Sequence, residues 1–593
     1  MLYLQCHKKT VYNHLLLSFM KTSTHNTANN SLFQVIAILK QIHINKFTLL
    51  FMIFVLSVSF VEARNTNCKH LIAADQTIID ASKMDVQPGD TVCIEASVKR
   101  MLLISNFHGT ADNYIVFKNC GGEVIVKNND LTYGICIDNC SYFRFTGAGV
   151  DGTNYGVRIL ETMPGGSMGI KIGNKSTNYE IDHIEIANVG FAGIMAKTDP
   201  KSDLSSNRDS FTQYQSIFHD NYIHNVGGVG MYIGHSFYTG VTTTINGQDI
   251  LLYPSVLKGV RVYNNVVDSV GWDGIQVGSA TDDCEIYSNS VTYYGLKKIS
   301  SQHSGFQVNP GTTGKLYNNY VANGTGNGMT IFGMGNIDVY NNIIINAGYD
   351  YFPNEQKNIH GIFVDDRVTI PGSSFNFFNN TIVNPKADGI RFTSVISKNN
   401  KFYNNIILNP GSLSTYSVYS NQTSYINIGV KSGVDANISN NFLDNNSNRI
   451  QFQDYQKSNF KLMSSSPAIE AGLDLSIYGV EYDFEHNARP IGRHYDIGAY
   501  QSEYTAQTKL ESKPVANFDV FPNPSKGKFE ISREETSNVN VTIHNILGKV
   551  VRSIKDITDK QFEFDITDLA VNGKYFVTVS DQNGSSTRTI IIQ

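Results

Sequence analysis

Tryptophan is almost missing from this chain of 593 residues, where Trp272 stands alone. Charge is scarce as well: Asp, Glu, Lys and Arg make up 17%, against about a quarter in an ordinary globular protein. The net charge of −5 gives a nucleic acid no basic face to bind. The seven cysteines show no CxxC spacing, which argues against a structural zinc site. No apolar run is long enough to cross a bilayer comfortably. The longest, around Phe47–Leu56, reaches about 14 residues where about 20 are needed. Between about 259 and 411 there is no room for a helix of ordinary length.

That same stretch is filled by one repeated phrase. Tyr263-Asn264-Asn265 returns as Tyr287-Ser288-Asn289, Tyr317-Asn318-Asn319, Tyr340-Asn341-Asn342, Phe378-Asn379-Asn380 and Tyr403-Asn404-Asn405. Most copies are followed by Gly-apolar-x-apolar: Gly274-Ile275-Gln276-Val277, Gly305-Phe306-Gln307-Val308, Gly328-Met329-Thr330-Ile331, Gly361-Ile362-Phe363-Val364 and Gly389-Ile390-Arg391-Phe392. A period in the low twenties with occasional insertions marks a solenoid. Each unit holds short alternating runs that read as strands, and a unit this small buries its apolar face only by stacking on its neighbours. Equivalent strands then pair in parallel, about 4.8 Å apart. The recurrent Asn suits a turn, because it tolerates the left-handed backbone and its amide can bond to the Asn of the next coil. The glycine is expected at a tight bend.

This pattern resembles the right-handed parallel β-helix of the pectate-lyase type over roughly residues 70–460. The fold expected is therefore all-β: a right-handed parallel β-helix solenoid at 64–463, followed by a small C-terminal β-sandwich domain. A segment at 464–501, with Ser466-Pro467, Arg489-Pro490 and Asp496-Ile497-Gly498-Ala499-Tyr500, is expected to cap the last coil and hide its open edge. A polar linker at 502–514 follows. Residues 515–593, from Phe518-Asp519-Val520-Phe521-Pro522-Asn523-Pro524 through Gly573-Lys574-Tyr575-Phe576-Val577, closely resemble the C-terminal sorting domain of the type IX secretion system. The resemblance implies a bacterium of the Bacteroidetes type, passage across the outer membrane with that machinery as partner, and a secreted or surface-attached product.

At the other end, residues 1–63 read as an extension and a signal peptide. Lys46 precedes the apolar run, Val61-Glu62-Ala63 is a small-residue cleavage site, and the mature chain is expected to carry no transmembrane segment. Cys68 and Cys93 are expected to pair, and Cys120 and Cys140, about one coil apart, to stack inside; buried free thiols and a single disulfide both remain open. Two inserts, 199–215 and 236–254, leave the rhythm of the coils, and such excursions often carry function.

Alternation along the strands turns the apolar positions of Gly-apolar-x-apolar inward and x outward. Stacking the copies predicts one outward stripe of Met195, Tyr232, Gln276, Gln307, Thr330, Phe363 and Arg391. Lys197, Asn309 and Asp365 lie two places on, and Asp273, His360 and Asp388 just before the glycine. Such a stripe suits an extended glycan as partner: Tyr232 and Phe363 to stack on sugar rings, and Gln276, Gln307, Asn309, Asp273 and Asp388 to bind hydroxyls. The densest cluster is His360, Asp365, Asp366 and Arg367, with Arg391 one coil on. In a lyase, a cation neutralises a uronate carboxylate while Lys197, Arg367, Arg391 or His360 takes the C5 proton, and Asp365 and Asp366 suit Ca²⁺. In a hydrolase, two carboxylates serve as acid and base. Asp365-Asp366 is similar to the aspartate pair of polygalacturonases, and Gly234-His235 to their glycine-histidine motif, with the His before the pair here rather than after it. The expectation is a monomeric exported protein acting on acidic polysaccharide, lyase ahead of hydrolase. The alternative is a non-catalytic carbohydrate-binding or adhesive surface protein.

Overall fold

The structure is a computed structural model. It describes residues 68–504, apart from 246, 350–358, 412–423, 429–430 and 491, and residues 518–593, apart from 535–536, 546–548, 569–571 and 582–583. The signal peptide expected at 1–63 lies outside the described residues, as does the expected linker beyond 504.

Short strands wind into coils, and corresponding strands of successive coils pair in parallel, so that a right-handed β-helix forms. One face is a 12-stranded parallel sheet that runs from Ile78–Asp80 to Ile426–Asn427. The phrase Tyr-Asn-Asn sits at the corner between two other faces, for example after Glu285–Tyr287 and before Ser290–Thr292. Inward side chains form one continuous apolar core along the rod, with Phe377 and Phe402 stacked at 4.9 Å inside it.

The two asparagines of each phrase have separate jobs. The middle residue takes the left-handed backbone: Asn264, Ser288, Asn318, Asn341, Asn379 and Asn404 have φ of 53, 53, 53, 53, 51 and 57°. The last residue turns inward and builds a ladder. The Nδ2 of Asn265 donates to Asn289 Oδ1 at 3.0 Å, Asn289 to Asn319 at 3.0 Å, Asn319 to Asn342 at 3.0 Å, Asn342 to Asn380 at 2.9 Å and Asn380 to Asn405 at 3.0 Å. The amide stack expected from the sequence is there, buried. The tyrosines of the phrase stack on the outside: Tyr263, Tyr287, Tyr317 and Tyr340 follow one another at 4.9, 4.9 and 4.8 Å.

The glycine before each strand of the 12-stranded sheet is there for a different reason from the bend expected. Gly274, Gly305 and Gly328 do not have positive φ. A Cβ on Gly274 would meet the carbonyl oxygen of Gly305 at 2.6 Å, and one on Gly305 that of Gly328 at 2.7 Å. Close approach between coils, not turn geometry, requires glycine here.

Residues 464–501 run along the flank of the rod. Backbone carbonyls of Asp483, Tyr482, Asp496 and Leu473 accept from the side chains of Asn318, Asn341, Asn379 and Asn404. Leu475, Val480 and Tyr495 cover Tyr340, Phe378 and Tyr403. The segment therefore covers the turn corner over several coils. The C-terminal region forms a three-stranded and a four-stranded antiparallel sheet with their own apolar core, including Phe529, Ile531, Val541 and Val577.

Candidate functional site

The predicted stripe is one register column of the 12-stranded sheet. Lys171 pairs with Met195, then in order come Tyr232, Gln276, Gln307, Thr330, Phe363, Arg391 and Asn427. The column is not open to solvent throughout, as alternation alone implied. Gln276, Gln307 and Thr330 are buried, as is Asn309 two places on from Gln307. Ser236, the first residue of the second insert, reaches over the sheet. Its hydroxyl bonds to Tyr232 Oη at 2.8 Å and accepts from Gln276 Nε2 at 2.6 Å and Asn309 Nδ2 at 3.2 Å. Gln276 Oε1 has no partner among the described residues.

The two inserts make one wall beside this part of the column. Val241–Ile245 and Gln248–Leu252 form a hairpin. Arg208, from the first insert, donates to the Tyr238 carbonyl at 2.5 Å, and its guanidinium lies 4.0 Å from the Tyr238 ring and 5.3 Å from that of Tyr253. Replacing Arg208 with alanine should free the hairpin, and protease cleavage within 236–254 should rise on the order of tenfold while the rod stays resistant.

The pre-glycine residues turn out to serve the backbone. Asp273, His360 and Asp388 are 0, 2 and 2% exposed, so they are not surface groups for a sugar. Asp273 Oδ1 accepts the Ser304 N–H at 2.7 Å, His360 Nδ1 accepts the Asp388 N–H at 3.2 Å, and Asp388 Oδ1 accepts the Ser424 N–H at 2.8 Å. Burial pushes the His360 imidazole below its ordinary range, against the pull of Asp388, and so favours the neutral ring.

The proposed catalytic residues fall into two groups. Lys197 follows the strand Ala192–Ala196, six coils before Arg391, which is about 29 Å at the usual coil spacing. It cannot act with the cluster around Asp365. Around Lys197 stand Asp199, the first residue of the first insert, and His235, of the Gly234-His235 pair. Lys197 bonds to Asp199, and His235 Nε2 lies 3.5 Å from Asp199 Oδ1. His235, and then Lys197 against the effect of burial, hold the Asp199 carboxyl down at about 2. The signal that could have found this group was spacing: Lys197 and Asp199 straddle the point where the insert leaves the coil.

The second group does assemble. Phe363 and Arg391 are register partners. Arg391 stands 3.7 Å from Asp388 Oδ2, with a fifth of its side chain open. Arg367 bonds to Asp365 at 3.2 Å and lays its guanidinium 3.9 Å from the Phe332 ring. Burial raises the Asp365 carboxyl above its ordinary value, although the Arg367 N–H and guanidinium pull it down. Asp366 has partners of its own. Its Oδ2 accepts the Val395 N–H at 2.9 Å and lies 3.7 Å from Lys431.

Calcium does not fit the Asp365-Asp366 pair as it stands. Arg367 and Lys431 already neutralise the two carboxylates, and a hard cation needs several converging oxygens. Among the described residues, three-ligand groups occur elsewhere, at Glu180, Asp182 and His219 and at Cys68, Cys93 and Cys120. In the first, the Arg144 guanidinium stands 3.0 Å from Glu180 and 2.7 Å from Asp182, in the place a cation would take.

Residues 249–427 match the family model described as a right-handed beta helix region, and residues 519–593 match the secretion system C-terminal sorting domain. The chain thus carries a type IX sorting signal and is secreted to the cell surface or the extracellular space. Among the described residues no helix is long and apolar enough to cross a membrane. Similar solved structures include the pectate lyase Pel9A, at 13% identity and TM-score 0.34, covering 74% of this chain and 97% of that one. An alginate lyase from Paenibacillus sp. str. FPU-7 is also 13% identical, with TM-score 0.30, covering 64% and 99%. XylC, in complex with xylose, is 11% identical, with TM-score 0.32, covering 86% and 96%. The sequence has no match among curated proteins.

Proposed function

We propose that this secreted right-handed β-helix holds an extended acidic polysaccharide along the column from Phe363 to Asn427 and cleaves it by β-elimination. The observation that carries the reading is the Phe363–Arg391 register pair with Asp365 and Arg367 beside it. An aromatic ring and a cation are partners on neighbouring coils, and a second cation bonds to a carboxyl raised by burial. Arg391 and Arg367 would hold the uronate carboxylate and stabilise the charge that develops on it. Asp365 would take the C5 proton, since a raised carboxyl is a better base than an ordinary one. The bond from C4 to the glycosidic oxygen then breaks, and the departing oxygen takes up a proton. Tyr232, Gln276, Gln307 and Asn309 would touch substrate only where the Ser236 cover opens.

A second reading, binding without turnover, draws support from the burial of His360, Asp388 and Asp273, which leaves fewer groups free for chemistry. Incubation with alginate, pectin and chondroitin separates the readings. Ultraviolet absorbance from an unsaturated end signals elimination, new reducing ends without it signal hydrolysis, and retention without product signals binding alone. With elimination, Arg391→Ala should lower kcat/KM on the order of 10²-fold. Full activity in Asp365→Ala, Arg367→Ala and Arg391→Ala together would discard the site.

A further inference from the structure

We propose that Cys68, Cys93 and Cys120 form a thiol–disulfide exchange site in which Cys93 is the shared sulfur, and that the displaced Cys68 thiol accepts a mixed disulfide from a small disulfide outside the cell.

The three residues come from the first coils. Cys93 lies on the strand Thr91–Lys99, between the strands His70–Ile72 and Ile115–Lys127. Its Cα is 5.9 Å from that of Cys68 and 5.5 Å from that of Cys120, and both separations lie in the range a disulfide spans. Cys68 Sγ and Cys120 Sγ are 3.8 Å apart. Here the expectation from the sequence needs correcting: the neighbour of Cys120 is Cys93, not Cys140, which is buried as a free thiol. One sulfur cannot hold two disulfides. An exported chain with three cysteines in mutual reach therefore carries one disulfide and one thiol beside it.

The exchange needs no outside oxidant once one disulfide exists. The Cys120 thiolate attacks Cys93 Sγ, the Cys93–Cys120 bond forms, the Cys68–Cys93 bond breaks, and the electron pair leaves on Cys68. The proton lost by Cys120 is matched by the one Cys68 can take up. Burial sets the direction. Cys93 and Cys120 are buried, whereas Cys68 is half-buried, and a thiolate is better hydrated at the surface. The Cys68 thiolate then attacks a small disulfide, one half of which remains on Cys68 while the other leaves as thiolate. The other cysteines stand apart: Cys136, Cys140 and Cys284 are buried free thiols outside the group in which the Cys68, Cys93 and Cys120 sulfurs lie within 4.8 Å of one another.

The first strand does not depend on the Cys68 bond. Lys99 is buried and donates to the carbonyls of Ala73, Ala74 and Gln76 at 2.8, 2.8 and 2.9 Å. Asp90 holds Lys69 at 3.1 Å and His70 at 2.8 Å. Releasing Cys68 therefore frees a thiol without unfolding the start of the rod.

The test uses the full secreted chain, purified without reductant, quenched in acid, alkylated and mapped by mass spectrometry. Both Cys68–Cys93 and Cys93–Cys120 peptides should appear in one preparation. Oxidised glutathione at about pH 8 should shift the ratio to Cys93–Cys120 and place glutathione on Cys68. In Cys120→Ser the uptake at Cys68 should fall about tenfold, because nothing within the chain displaces Cys68 from Cys93. Cys68→Ser should keep Cys93–Cys120 and take up none. A single pairing unchanged by glutathione, or glutathione on Cys120 in place of Cys68, overturns the proposal. The mapping of the unaltered chain decides it even if a variant fails to fold.

Discussion

Replacing Asn289 with alanine is expected to cost about 3–5 kcal/mol and to lower the melting temperature of the rod by several degrees. Asn289 is 1% exposed, and its side chain is used on both sides. Nδ2 donates to the Val262 carbonyl at 2.9 Å and to Asn319 Oδ1 at 3.0 Å. Oδ1 accepts the Asn265 backbone N–H at 3.1 Å and the Asn265 amide at 3.0 Å. Alanine leaves the Asn265 N–H buried without this partner and breaks the ladder in its middle. Each orphaned buried group costs about 1–3 kcal/mol, more than the bond itself is worth net. The neighbouring Ser288 gives the contrast. It sits in the same turn with φ 53°, a conformation glycine adopts freely, so Ser288→Gly should change stability by less than about 1 kcal/mol. Thermal melts of the two variants check the pair. Equal losses would mean that the turn as a whole, not the inward amide, carries the stability.

That contrast was partly legible in the sequence. The last residue of every copy is Asn, whereas the middle one is Ser288 in one copy, so only the last position demands an amide. The register column was legible too, because period-two alternation fixes which side of a strand a residue takes. What alternation cannot report is what lies above the sheet. Ser236 covers Gln276 and Asn309 because the chain leaves the coil after His235 and folds back, a tertiary event with no periodic signature. The pre-glycine residues misled for a related reason. Asp273, His360 and Asp388 look like site chemistry by type, yet they stand where a strand begins and the next coil's N–H needs an acceptor. Lys197 and Arg391 share a face, and only counting coils shows that they stand too far apart to share a substrate bond.

Asp273→Asn should stabilise the protein at neutral pH and leave it unchanged in acid. Asp273 is fully buried, and burial raises its carboxyl from 3.8 to about 8, against the pull of the Ser304 N–H. Its Oδ2 has no partner among the described residues. The unfolded chain loses this proton near 3.8, the folded chain near 8. Between those values the folded state binds more protons, so this residue makes stability fall as pH rises, and the fall stops above about 8. At pH 7 the loss amounts to as much as about 4 kcal/mol. Asparagine keeps the oxygen that accepts the Ser304 N–H and has no charge to expose. Its advantage over the wild type should therefore be near zero below pH 4 and grow steadily to a plateau above about pH 8. Denaturation midpoints across that range give the curve. A variant weaker than wild type at pH 8 would show instead that Asp273 is an ionised carboxylate with a partner, and would return it to the set of groups able to meet a substrate.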